Sequence, residues 1–404
     1  MIRRASLSCA AVFTAALAMT GPGRSETSPW ADCLRGISAD AEARGVPQGM
    51  AHGQLLGVAS SPAVLSATQS QAEFAKPIWA YLDATITEAT IAEGQRKLAE
   101  WADTFEAIER RFGIDRFTLA AFWGVESGYG KVLDDAAIVR PVVQSLATLA
   151  CGDPGRSSYW RNELIEALRI LAQGDVSPER LTGSWAGAMG HTQFMPSVYR
   201  TYALDFDGDG RRDLWSTPDS LASTANYLAA MGWRRGERWG NEAILGESFD
   251  YALADETTLR SHDEWRGLGA GAISPSDTEG AATATLVVPA GAGGPAFLLR
   301  PNFSVILRYN TSLSYALTVA HLSDRLRGQG AFARDWPRGD RALTDAERRD
   351  LQTRLGAHGH AVGVIDGRIG PKTRAAIRAY QGSVGQRPDG YADVALLERL
   401  RASP

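Results

Sequence analysis

The strongest constraint on this chain is a helical spacing of apolar residues that runs through its first half and then stops. Ile91, Leu98, Trp101, Phe105 and Ile108 fall at steps of seven, three and four. Such steps return to one face of a helix with 3.6 residues per turn, so one amphipathic helix is predicted over residues 91–111. Residues 117–125, 162–171 and 220–231 give three further helical stretches, and a fourth lies at 314–326. Between 232 and 305 the period is lost among Gly, Ala, Ser and Thr, and only 285–288 and 296–300 read as short strands. The fold class that follows is mainly α, with a small loop-rich, β-containing subdomain.

Residues 328–341, with Gly, Pro and charged side chains, suit a linker. Beyond it, residues 342–404 form a separate unit in which Leu351, Leu355, Ala376, Ile377 and Tyr380 keep helical spacing. Asp366-Gly367 is echoed by Asp389-Gly390, a partial internal repeat. About sixty residues are few for an independent core, so Leu351, Leu355, Ile365, Ile369, Ile377, Tyr380, Leu396 and Leu397 are all expected to pack inside.

The 404 residues are 44% hydrophobic with a net charge of -4, enough to bury a full core and carry a smaller satellite domain. The balance of charge gives no reason to expect a nucleic acid, and phosphate-cradling glycine motifs are absent from the sequence. At the N-terminus, Arg3 and Arg4 precede an apolar run from Leu7 to Met19 and then small and polar residues, the layout of a cleaved secretory signal over residues 1–25. The run is shorter than the roughly 20 residues of a spanning helix, so no transmembrane span is expected. Once the signal is removed, Cys33 and Cys151 remain. In an oxidising compartment an even pair allows one disulfide, with two buried thiols as the alternative.

Two segments carry chemistry. Gly124-Val125-Glu126-Ser127-Gly128-Tyr129-Gly130 ends an apolar stretch with an acid just before two helix-breaking glycines. Gly187-Ala188-Met189-Gly190-His191-Thr192-Gln193-Phe194-Met195-Pro196-Ser197 is a loop whose small residues let a backbone approach a polymer. A carboxyl group protonates a leaving oxygen near neutral pH only where a partly dry setting favours its acid form, and Glu126 is placed for that. Metalloprotease, serine-elbow and cysteine-histidine arrangements cannot be assembled from the residues present.

Together the two segments resemble the active-site signature of the lytic transglycosylases, most closely the membrane-bound lytic transglycosylase B family. The resemblance covers roughly residues 30–326, and residues 342–401 are similar to the three-helix peptidoglycan-binding domain of wall hydrolases. It implies a lysozyme-like catalytic domain over 26–327 and a wall-binding domain over 342–404. The implied reaction cleaves the β-1,4 bond between N-acetylmuramic acid and N-acetylglucosamine and leaves 1,6-anhydromuramic ends, with Glu126 as the single acid and base. A hydrolytic muramidase, or a non-catalytic peptidoglycan-binding protein, stays open as an alternative. By the same resemblance Ser184, Gln193, Tyr227, Tyr309, Asn310 and Tyr315 contact the glycan. The tyrosines are expected to offer ring faces and hydroxyls, and Phe194 to pack in the core.

The acidic loop Asp205-Phe206-Asp207-Gly208-Asp209-Gly210-Arg211 alternates oxygen ligands around a sixth-position glycine, the pattern of a calcium loop. Ser216 stands where the usual bidentate glutamate would be. In the family the matching acid falls at Asp219, so the implied Ca2+ ligands are Asp205, Asp207, Asp209, the Arg211 carbonyl and Asp219. No organic cofactor is expected. The expected partners are peptidoglycan strands and cell-wall synthesis or division proteins, in a periplasmic setting.

Overall fold

The computed structural model describes residues 28–68, 76–255, 257–272 and 282–403. The expected signal segment lies outside them. Among the described residues, no helix is long and apolar enough to cross a membrane.

At the centre of the larger body is the helix Arg116–Ser127. Asp115 caps it by accepting from the Thr118 backbone N–H at 3.0 Å, and Gly128 ends it in the left-handed region at φ 58°. Leu119, Ala120, Ala121, Phe122 and Trp123 are each at most 1% exposed. A helix apolar on every side is stable only when other helices surround it. Leu313–Leu326 packs along it, while Val142–Gly152 and Ser157–Gln173 pack against each other. Cys33, in Pro29–Ala43, is disulfide-bonded to Cys151, with Cα atoms 6.0 Å apart. Closing a loop of 118 residues restricts the unfolded chain by roughly 3–5 kcal/mol.

The single helix predicted over residues 91–111 is two helices, Glu88–Glu100 and Ala102–Phe112. They break at Trp101, whose φ of -110° and ψ of 27° leave the helical region. Because the break preserves the apolar face, periodicity alone does not reveal it.

The β-containing subdomain holds more order than its two predicted runs suggested. Strands β3 (Gly240–Leu245), β4 (Arg260–Ser261), β5 (Ala270–Ala272), β6 (Thr283–Val287) and β7 (Ala296–Leu299) form an antiparallel sheet in the order β4-β6-β7-β3-β5. Strands of two to six residues carry too little alternation to be read one by one. Trp265 covers one face; it is wholly buried and donates its indole N–H to the Ala284 carbonyl at 2.8 Å.

Asp345–Ala357, Pro371–Ser383 and Val394–Ala402 form the C-terminal three-helix unit around Leu351, Leu355, Ile377, Tyr380, Leu396 and Leu397. Ile369 packs at its edge, but Ile365, expected inside, is 45% exposed. The internal echo has a physical basis. Gln352 accepts from the Gly367 N–H at 2.8 Å, and its amide nitrogen lies 3.3 Å from Asp366 Oδ1. Gln381 grips Gly390 at 2.9 Å and Asp389 at 2.8 Å in the same way.

The segment expected to be a linker is a strap instead. Phe332 stacks on His321 with ring centroids 3.8 Å apart, and Trp336 is 8% exposed among Trp79, Phe297 and Phe332. The Glu242 carboxylate accepts from the backbone N–H groups of Ala333 and Arg334 at 2.7 and 2.8 Å. Two large aromatic rings outweigh the Gly, Pro and charged residues that flank them.

Candidate active site

Glu126 occupies the last turn of the central helix and is half-buried. The chain then turns sharply through three residues of positive φ: Gly128 at 58°, Tyr129 at 62° and Gly130 at 91°. A tyrosine in that region costs energy, and packing holds it there. Its ring lies edge-on to Trp123 at 5.7 Å and fills the space beside Gly94 and Gly124, where an added Cβ would come within 2.2 and 2.7 Å of it.

The second segment is folded against this turn. Strand β1 (Arg140–Pro141) pairs with β2 (Thr182–Gly183), and bridges Gly183 to Met189 and Met189 to Phe194 close the loop on itself. Ser127 donates its hydroxyl to the His191 carbonyl at 2.6 Å, while Trp123 donates its indole N–H to His191 Nδ1 at 3.0 Å. Burial depresses the His191 pKa to about 4, so the ring stays neutral and keeps Nδ1 as an acceptor. At the far end, the buried Glu163 accepts from the Ser197 N–H and hydroxyl at 2.9 and 2.7 Å, and burial raises its pKa.

Tyr315 donates its hydroxyl to Glu126 Oε1 at 2.5 Å. Tyr309 donates to the Thr192 carbonyl, also at 2.5 Å, and stacks obliquely on Phe122 at 4.7 Å. Burial and then the Glu126 carboxylate hold both phenols well above their ordinary pKa, so each remains a donor. Tyr227 donates to the Arg308 carbonyl at 2.9 Å and meets Tyr309 edge-on at 5.3 Å.

Tyr227 and Tyr315 are 9% and 3% exposed. They do not present ring faces to solvent as expected; Tyr315 bonds Glu126 directly, and Tyr227 packs against Tyr309. Tyr309 is partly exposed, and Phe194 is buried as expected. Ser184 accepts from the Ala186 and Ala188 N–H groups at 3.3 and 3.2 Å, which fixes its turn. Gln193, at φ 54°, donates its side-chain amide to the Gly190 carbonyl at 2.8 Å. Asn310 accepts from the Ser312 N–H at 3.0 Å and makes no hydrogen bond through Nδ2 among the described residues. Glu126, Tyr309 and Tyr315 therefore form one hydrogen-bonded and packed group with the loop. Sequence reasoning missed Trp123, Ser127, His191 and Glu163, whose partners lie 34 to 68 residues away.

In the acidic loop, oxygens of Asp205, Asp207 and Asp209 lie within 4.8 Å of one another, all on exposed residues. This donor set fits a hard cation such as calcium. Asp219 is placed differently from the expectation. It is fully buried, and its two oxygens accept backbone N–H groups from Phe206 and Asp213 at 2.7 and 2.8 Å. Asp219 lies in the first turn of the helix Thr217–Ala230 and holds the loop backbone, while the three exposed acids converge on one another.

Comparison with known proteins follows the same division of the chain. Residues 29–324 match the family described as Transglycosylase SLT domain, and residues 344–400 match a peptidoglycan binding domain. Membrane-bound lytic murein transglycosylase B of Escherichia coli K12 is 31% identical over 239 residues, 59% of this chain and 64% of that protein, so less than two thirds of that relative is spanned. The structure of SltB3 from Pseudomonas aeruginosa in complex with NAG-anhNAM-pentapeptide is 42% identical, covers 92% of this chain and 99% of that one, and superposes with a TM-score of 0.86. Escherichia coli lytic transglycosylase Slt35 in complex with calcium is 26% identical, covers 73% and 92%, and has a TM-score of 0.62. The chain belongs to the transglycosylase SLT domain family, with a peptidoglycan binding domain at its C-terminal end.

Proposed function

We propose that this protein is a lytic transglycosylase that cleaves the β-1,4 bond between N-acetylmuramic acid and N-acetylglucosamine of peptidoglycan and leaves 1,6-anhydromuramic ends. The observation that carries the reading is the Tyr315 hydroxyl on Glu126 Oε1. With Oε1 accepting, the exchanged proton belongs on Oε2. A half-buried acid aligned in this way protonates the bridging oxygen as the glycosidic bond breaks.

The resulting carboxylate keeps the Tyr315 hydrogen bond and takes back the proton of the muramic C6 hydroxyl as that oxygen attacks its own anomeric carbon. The bond to the leaving sugar breaks and the C6 oxygen bond forms, with no water consumed. Support for the substrate comes from one relative, SltB3, whose structures hold NAG-anhNAM-pentapeptide and NAG-NAM-pentapeptide. Ser184, Gln193 and Asn310 are assigned to the glycan cleft, with Asn310 Nδ2 as the donor for an acetamido carbonyl. Tyr309 contributes an edge to that cleft, while Tyr227 and Tyr315 support the group.

A calcium ion held by Asp205, Asp207 and Asp209, with the Arg211 carbonyl, would brace the loop that enters the Tyr227 helix. The proposed setting is the periplasm, reached through a signal over residues 1–25. The catalytic domain spans 26–327, and residues 342–404 bind the wall. Replacing Glu126 with Gln is expected to abolish turnover of purified sacculi while leaving sedimentation with them intact. Turnover equal to the parent protein contradicts the assignment.

A further inference from the structure

We infer that the C-terminal unit meets the wall through its first Asp-Gly loop, and that the occupant of this surface is an acidic stem peptide of peptidoglycan. The inference rests on the wall-binding reading above and adds which face is used and which part of the polymer it takes.

The unit has two equivalent loops, each held by a buried glutamine, and only one faces solvent. The second is spent on docking. Asp389 Oδ2 accepts from the Ala292 N–H of the larger body at 3.0 Å, and Arg387 lies over the Tyr251 ring at 5.8 Å. The fit there is close, because a Cβ added to Gly291 would fall 2.5 Å from Asp389 Oδ2 and 2.7 Å from Tyr391 Cβ.

The first loop carries Val364 at 78% exposure, the most exposed large apolar side chain among the described residues, next to Ile365 at 45%. Its backbone is nevertheless fixed. The Ile365 carbonyl accepts from Arg349 at 3.0 Å, and Gly367 is held by Arg348 at 2.6 Å and by Gln352 at 2.8 Å. An apolar tip kept in water on a rigid loop marks a contact surface, since preorganisation lowers the cost of binding.

Charge and shape select the occupant. The aliphatic stem of Lys372 passes 3.3 Å from where a Cβ on Gly363 would stand, and its ammonium makes no ion pair among the described residues. The nearby acids are engaged: Asp345 pairs with Arg349 at 2.7 Å, and Asp366 accepts from the Arg368 N–H at 2.9 Å. Positive charge beside two aliphatic side chains suits a peptide bearing carboxylates and methyl groups. A sugar ring would call for an exposed aromatic platform, but Tyr380 is buried in this unit and Tyr391 packs against the larger body.

The test uses the full chain carrying Glu126→Gln, so that sacculi survive, and measures sedimentation with intact sacculi and with strands stripped of peptides by an amidase. Val364→Ser with Ile365→Ser is expected to weaken binding to intact sacculi at least tenfold, and Lys372→Glu to weaken it severalfold. Stripped strands are expected to bind the parent as weakly as intact sacculi bind the double variant. Ile244→Ser, an exposed apolar change in the larger body, serves as the control and is expected to bind normally. Melting temperature establishes that each variant is folded. Unchanged binding by both the double variant and Lys372→Glu overturns the surface, and equal binding to stripped strands overturns the peptide as occupant. If the Glu126→Gln chain fails to sediment with intact sacculi at all, the wall-binding reading itself falls.

Discussion

The Tyr315 hydroxyl is the contact on which Glu126 most visibly depends. A hydrogen bond to a charged group contributes about 1.5–3 kcal/mol, so Tyr315→Phe is expected to lower kcat about ten- to a hundredfold with KM little changed. Steady-state kinetics on a soluble muropeptide oligomer checks this, and an equal fall in affinity would mean that the ring holds sugar instead. Glu126 is legible in the sequence through the resemblance of its two segments to the lytic transglycosylase signature, because a glutamate taken alone is most often a solvated surface residue. The sequence does not disclose the acid's supports. The pattern points to Tyr315 as a sugar platform, and His191 carries no signal at all, since its role depends on Trp123 and Ser127 reaching it across the fold.

Histidine burial also sets a pH dependence. His321, stacked on Phe332, has its pKa lowered to about 4, chiefly by burial. The unfolded chain binds a proton there near pH 6.5 while the folded chain does not. The stability this group contributes is therefore complete above that pH and is lost as pH falls towards about 4. Between pH 7 and pH 5 the loss is about 2 kcal/mol, which urea unfolding of the parent against His321→Phe will show as a flatter profile in the variant.

Among the elements, the strap departs furthest from its sequence reading. Its composition is that of a linker, yet Trp336 sits in an aromatic cluster spanning the sheet and Ile78–Thr85. Trp336→Ala is expected to cost about 3–5 kcal/mol in urea unfolding, whereas a true linker position would cost under about 0.5. The acidic loop makes a second prediction at this scale. Calcium at a hundred times its dissociation constant is expected to add about 2.7 kcal/mol to a chelator-treated protein, read as a rise in Tm. Asp207→Ala is expected to remove that rise, while a calcium-independent Tm in the parent would contradict the site. The helix break at Trp101 and the short strands of the sheet share one lesson. Periodicity reports which face is buried, and it is silent where a break preserves the face or where a strand is too short to alternate.

At the scale of the whole molecule, the mainly helical body, the small β-containing part and the C-terminal helices were each visible from spacing and composition. Their mutual arrangement was not, because it depends on contacts such as Ala292 with Asp389 and Glu242 with the strap, which join residues about ninety or more positions apart. The result is a transglycosylase body with the C-terminal unit docked against it through Asp389 and Tyr391. The central claim concerns what Glu126 does to peptidoglycan, and the masses of the muropeptides released from purified sacculi test it most directly. Products lighter by one water than the reducing-end form are expected, and they are expected to disappear with Glu126→Gln. Products carrying an intact reducing end, or anhydro products from the Glu126→Gln protein in undiminished yield, would contradict that claim.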